Sequence, residues 1–120
     1  MISKKFRLKE REVKKVLSKW KPFFSYGIVL NFFRNSFNYP RFSIVLWSKS
    51  VNNSVERNFF RRKFYEMIRI NYLDNLLKSE KAIDFIFVVK KQTKLDKKDE
   101  KSIKDFEKDI NFLMNKLLNE

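Results

Sequence analysis

Residues 81–90, Lys81-Ala82-Ile83-Asp84-Phe85-Ile86-Phe87-Val88-Val89-Lys90, form an almost unbroken apolar run. It falls far short of the roughly 20 residues that cross a bilayer. A strand with no polar alternation is buried on both faces, so this one belongs in a sheet under helices. The rest of the chain must supply its strand neighbours and its covering layers.

The neighbours lie upstream. Phe23 to Phe33 alternates Phe24, Tyr26, Ile28, Leu30 and Phe32 with Ser25, Gly27, Val29, Asn31 and Phe33, which is strand periodicity. Residues 35–40 carry turn chemistry, and Arg41 to Trp47 alternates again. The two runs are predicted to pair as an antiparallel hairpin. Their less apolar face carries Ser25, Gly27, Asn31 and Ser43, small enough for a ligand to lie along it; an ordinary solvated face reads the same way. Helices supply the cover. In the first, Glu10 to about Lys19, Val13, Val16, Leu17 and Trp20 share a stripe, ended by Pro22, that is either core or partly the wall of a groove. Residues 1–9 read as an irregular basic arm from which Phe6 and Leu8 can pack down. A long central helix starts at Asn53 or Ser54 and runs to about Tyr72, with 71–78 as an extension. On its wheel Phe60, Phe64, Met67 and Ile68 share the apolar side, and Asn58, Arg61, Arg62, Tyr65 and Arg69 the polar one. Asp96, with Asp99 three residues on, is predicted to cap a last helix carrying Ile103, Phe106, Ile110, Leu113 and Leu117. The order read from the residues is αββαβα, an α+β two-layer sandwich in a single domain, 1–120.

Charge points to the partner. Of the formal net +14, residues 1–69 carry +13, with seventeen Lys and Arg against four Glu, whereas residues 94–120 are neutral. A basic surface concentrated on a small domain indicates nucleic acid ahead of an anionic membrane or an acidic protein. The sequence has no His and no Cys, which removes the usual general acid–base of protein ribonucleases, thiolate metal sites and His-based triads. Its acids are scattered rather than clustered for two-metal chemistry. No secretory signal is visible, and a cytoplasmic location is expected. The chain therefore reads as a binding element rather than a source of catalytic groups.

Phosphate recognition needs cations near one another, with amides or hydroxyls to fix register. The central helix supplies Arg57, Asn58, Arg61, Arg62, Tyr65 and Arg69. The loop before it adds Ser48, Lys49, Ser50, Asn52 and Asn53 at a helix N-terminus, where free N–H groups favour anions. A solvated charged face would look much the same. The run Ser48-Lys49-Ser50-Val51-Asn52-Asn53-Ser54-Val55-Glu56-Arg57-Asn58-Phe59-Phe60-Arg61-Arg62 resembles the signature of the bacterial ribonuclease P protein component, S-K-K-V/I-G-x-A-V-x-R-N-R-I/L-K-R. Leu8-Lys9 with Val13, Val16 and Leu17, then Ile28-Val29-Leu30, then Asp84 to Lys90, are similar to further stretches of that family. Several positions depart from its pattern. Phe59 stands for the third residue of R-N-R, Ser50 for a Lys, Asn52 for a Gly, Tyr65 for an Arg, Val13 and Leu17 for Phe, Trp20 for a Gly and Asn31 for a Tyr.

The resemblance implies an αβββαβα order, a mostly antiparallel central sheet and a basic, left-handed crossover helix, the fold shared with ribosomal protein S5 domain 2. It implies a ribonuclease P subunit that binds the catalytic RNA and the 5′ leader of precursor tRNA, while the RNA cleaves with Mg²⁺ held mainly by RNA and substrate phosphates. Carried over residue by residue, Lys49, Ser50, Asn52, Asn53, Arg57, Asn58, Arg61, Arg62, Tyr65 and Arg69 would meet the RNA, with Asn58 near a metal shared with it. Val13, Leu17, Tyr26, Asn31, Ser43 and Lys90 would line the leader groove, with no metal held by protein side chains alone. Neither a membrane nor an obligate protein partner is expected. The alternative is a structural RNA-binding protein such as a small ribosomal protein; a self-sufficient protein ribonuclease is disfavoured by the missing His.

Overall fold

The computed structural model describes residues 4–8, 21–47, 51, 53–79, 82–90 and 93–118. Its strands are β1 (Lys21–Phe24), β2 (Ile28–Arg34), β3 (Arg41–Val45) and β4 (Ile83–Val89). Helix α1 spans Ser54–Ile68 and continues through a π-helical turn, Arg69–Leu73, into α2, Asp74–Lys78; α3 spans Glu100–Leu118. The predicted first helix, with Val13 and Leu17, lies outside the described residues.

The apolar run takes a central place in the sheet, whose order among the described residues is β1-β2-β4-β3. β4 pairs antiparallel with β2 and parallel with β3, and Phe85, Ile86 and Phe87 are fully buried. This overturns the predicted hairpin. The Phe23–Phe33 run breaks at Ser25–Gly27 into β1 and β2, which pair with each other, and β3 joins the sheet only across β4. Alternation reports the face of a strand and not its neighbour, so a strand buried on both faces could claim the place between the two runs. The extra short strand and the mostly antiparallel sheet are as the family resemblance implies.

Two polar clasps hold this topology. Asp84, the lone charge inside the β4 strand, accepts from Arg41 Nε at 2.9 Å and Nη2 at 2.7 Å, and from Asn35 Nδ2 at 2.8 Å. It thereby ties both ends of the β2–β3 connection to β4, beside the bond from Asn35 N to Ala82 O at 2.9 Å. At the other end of the sheet, Asp109 of α3 accepts from Ser25 Oγ at 2.6 Å and from Gly27 N at 3.2 Å. The chain's single glycine sits there because a Cβ would lie 3.0 Å from Asp109 Oδ2 and 3.1 Å from the Thr93 methyl.

One sheet face meets the helices. Ile28, Leu30, Phe42, Ile44, Phe85, Phe87 and Val89 pack with Phe60, Phe64 and Ile68 of α1 and with Phe106, Ile110, Leu113 and Met114 of α3. Edge-to-face pairs join Phe60 to Phe106 and Phe64 to Phe87 at 5.1 and 5.0 Å. Two local expectations change. The cap of α3 is Asp99, whose Oδ1 accepts from Lys101 N at 3.0 Å, while Asp96 shapes the preceding turn by accepting from Lys98 N at 2.9 Å. The basic arm is ordered at residues 4–8: Lys4–Phe6 form a 3-10 turn, Arg7 bridges in parallel to Phe42, and Leu8 is buried beside Ile86.

Candidate nucleic-acid interface

Helix α1 opens on Asn53, whose extended backbone lets its Oδ1 accept from Glu56 N at 2.9 Å, an N-cap at one of the two predicted positions. Buried Val51 anchors the entering chain, and its carbonyl accepts from Arg57 Nη1 at 3.1 Å. Lys49, Ser50 and Asn52 lie outside the described residues. Asn58 is exposed, and its Oδ1 accepts from Arg61 Nη1 at 3.0 Å. Arg62 projects into solvent and has no ion-pair partner among the described residues. Arg69 is exposed but engaged, with Nη2 2.9 Å from Glu66 Oε2. Those hydrogen bonds from Arg69 hold the Glu66 carboxyl well below its ordinary range, at about 2.

Tyr65 departs from its predicted place. The arc of α1 that packs on the sheet holds Phe60, Phe64 and Ile68 and includes Tyr65, which is 5% exposed, whereas Met67 is only half-buried. Its ring is therefore no open stacking surface for a base. Burial pushes the phenol above its ordinary pKa, opposed by the cations Arg7 and Arg61 and by a hydrogen bond with Ser43. The Arg7 guanidinium lies 5.9 Å from the Tyr65 ring centroid.

Ser43 belongs to the sheet face turned away from the helical core. In register, Asn31 of β2 and Ser43 of β3 flank Ile86 of β4 in one cross-strand row. Asn31 is 3% exposed, and neither its Oδ1 nor the buried Arg7 Nε has a hydrogen-bond partner among the described residues. The other two described leader-groove candidates sit apart from this row. Tyr26, 95% exposed, stands on the β1–β2 turn. Lys90 Nζ donates to the carbonyls of Ser25 at 2.9 Å and Tyr26 at 3.2 Å, so it braces that turn. Tyr65 thus lies at the junction of the two predicted sites, on the helix that bears Arg61 and close to Ser43. Arg7 joins them at this junction although nothing local in the sequence pairs position 7 with β3.

Among the described residues no group of three or more His, Cys, Asp or Glu could hold a metal ion, and no helix is long and apolar enough to cross a membrane.

A family model described as Ribonuclease P matches residues 2–118. No curated protein matches the sequence. The RNase P protein of Staphylococcus aureus superposes with a TM-score of 0.68 at 17% identity, over 92% of this chain and 93% of its own. That from Thermotoga maritima gives 0.61 at 25% identity, over 94% and 92%. A mutant of the staphylococcal protein with defective mRNA degradation activity gives 0.57 at 21% identity, over 73% and 71%. The staphylococcal likenesses speak to the fold alone.

Proposed function

This chain belongs to the ribonuclease P protein family, and from that membership we propose that it is the protein subunit of a ribonuclease P, working with the catalytic RNA in maturing the 5′ ends of tRNA. Helix α1 holds the RNA. Arg57, Arg61 and Arg62 meet its phosphates, Asn58 sits near a phosphate-bound metal, and Asn53 and the helix N-terminus fix register. Asn31 and Ser43, on the outer sheet face, meet the single-stranded 5′ leader of precursor tRNA. Mg²⁺, held by RNA and substrate phosphates, supplies the activated water. The protein raises substrate affinity and favours metal binding by gathering phosphates, and it acts in the cytoplasm.

The observation that carries this reading is that α1 buries Phe60, Phe64 and Ile68 against the sheet and so turns Asn58 and Arg62 to solvent, with Arg57 and Arg61 half-exposed beside them. The decisive experiment is reconstitution with the ribonuclease P RNA of the same genome at low Mg²⁺. The RNA alone should process precursor tRNA poorly, the protein alone not at all, and the two together efficiently. Metal-dependent cleavage by the protein alone, or no stimulation of the RNA, would overturn the reading.

A further inference from the structure

Helix α1 has an outward stripe on which the phosphate-binding reading uses Asn58 and Arg62 but leaves the apolar side chains Val55 and Phe59 without a role. Val55, Asn58, Phe59 and Arg62 recur at i, i+3, i+4 and i+7, and with Lys63, Glu66 and, from the loop before α3, Lys97 they line an open, mostly apolar hollow of about 600 Å³. That volume falls in the range of about 300–1,000 Å³ typical of small-ligand sites. Val55 is 62% exposed, an unusual position for an apolar side chain on a basic helix. The Phe59 ring is half-buried, set edge-on against Phe60 at 90° and 5.2 Å, and another part of it faces the hollow.

The rim is cationic on balance, with Arg62, Lys63 and Lys97 against the one carboxylate of Glu66, which Arg69 Nη2 holds at 2.9 Å. Arg62 and Lys97 have no ion-pair partner among the described residues, while Lys63 Nζ is tied to Glu107 Oε1 at 2.9 Å. Asn58 presents an amide beside them. A protein partner would find only two apolar side chains here, far from the roughly 800 Å² per partner of a stable protein interface. An aromatic floor with a cationic, amide-bearing rim matches one nucleotide instead: ring on base, cations on the flanking phosphates, amide on a base edge.

We propose that this hollow receives a single unpaired base of the partner RNA, stacked on Phe59 beside Val55, with Arg62 and Lys97 on the adjoining phosphates. Phe59 occupies the position where the R-N-R signature has a cation, so this copy exchanges an ion pair for a stack. The inference rests on the ribonuclease P reading above, and its test separates the two.

The test measures binding of the full chain to its ribonuclease P RNA over a series of salt concentrations, for the wild type, Phe59→Leu and Phe59→Tyr. Leucine keeps the packing on Phe60 but removes the aromatic face, and thermal unfolding checks that each variant folds. Phe59→Leu should bind about five- to 150-fold more weakly, the worth of one base–aromatic stack. Its log–log salt slope should match the wild type, because every cation on a phosphate is kept. Phe59→Tyr should bind like the wild type. Wild-type affinity in the folded Phe59→Leu variant would overturn the base site while leaving the ribonuclease P reading intact. No preference of the wild type for this RNA over an unrelated one would overturn that reading and this inference with it.

Discussion

Asp84 is a carboxylate 2% exposed at one end of the inner strand β4, and its survival there depends on Arg41, whose side chain is itself only 11% exposed. Removing one partner of such a pair leaves a buried charge without compensation, which typically costs about 3–5 kcal/mol. Arg41→Ala should therefore lower the unfolding free energy by about that amount in urea titrations; a decrease within about 0.5 kcal/mol, as for surface changes, would mean that Asn35 alone satisfies Asp84. The lone Asp inside an apolar run is plain in the sequence. Its partners are not, because Asn35 and Arg41 reach it only once β2 and β3 stand on either side of β4. The same limit applies to Arg7, which meets Tyr65 only through a bridge to Phe42. It applies again to Lys97, whose segment is neutral overall, since net charge says nothing of where one side chain reaches.

At the scale of the element, α1 is legible in its start, length and main core contacts, since Asn53 is a preferred cap and Phe60, Phe64 and Ile68 keep the 3.6-residue period. The orientation of its polar side is legible only in part. The sheet and α3 together bury an arc wide enough to include Tyr65, so the exposed face turns toward Asn58, Arg62 and Arg69. That orientation can be tested on the arginines. For every phosphate deprived of its guanidinium when Arg61 and Arg62 are replaced by Ala, the log–log salt dependence of RNA binding should flatten by about 0.9 if that RNA is duplex. An unchanged slope would place both guanidinium groups away from phosphate. The start of the helix has its own test. Asn53→Ala should cost about 0.5–2 kcal/mol by removing the cap, read as a lower urea midpoint; no change would mean that water replaces the cap at no cost. The strand order is less legible than the helix, because the Phe23–Phe33 and Arg41–Trp47 periods fit a hairpin as well as they fit two flanks of β4.

For the whole molecule, the missing His and Cys have a consequence for stability as well as for chemistry. No side chain has an ordinary pKa between about 5 and 8, so stability should be nearly flat across that interval. At the alkaline end two buried phenols take over. Burial raises the pKa of Tyr65, and it raises that of Tyr72, whose hydroxyl donates to Asn111 Oδ1 at 2.5 Å and so pins the π-helical turn to α3. A raised native pKa means that the unfolded chain loses these protons first. The stabilisation is complete below the unfolded value of about 10 and is lost as the pH climbs through the raised native values. Lysine deprotonation acts in the opposite sense, since it relieves the self-repulsion of a chain carrying +14. The two effects separate by difference: urea midpoints between pH 8 and about 11, for the wild type and Tyr65→Phe, share the lysine contribution. The wild type should lose stability relative to the variant above about pH 10, with phenolate absorbance appearing late in the folded protein. Parallel profiles would mean that Tyr65 ionises as freely in the fold as out of it, and that its burial does not hold the phenol neutral.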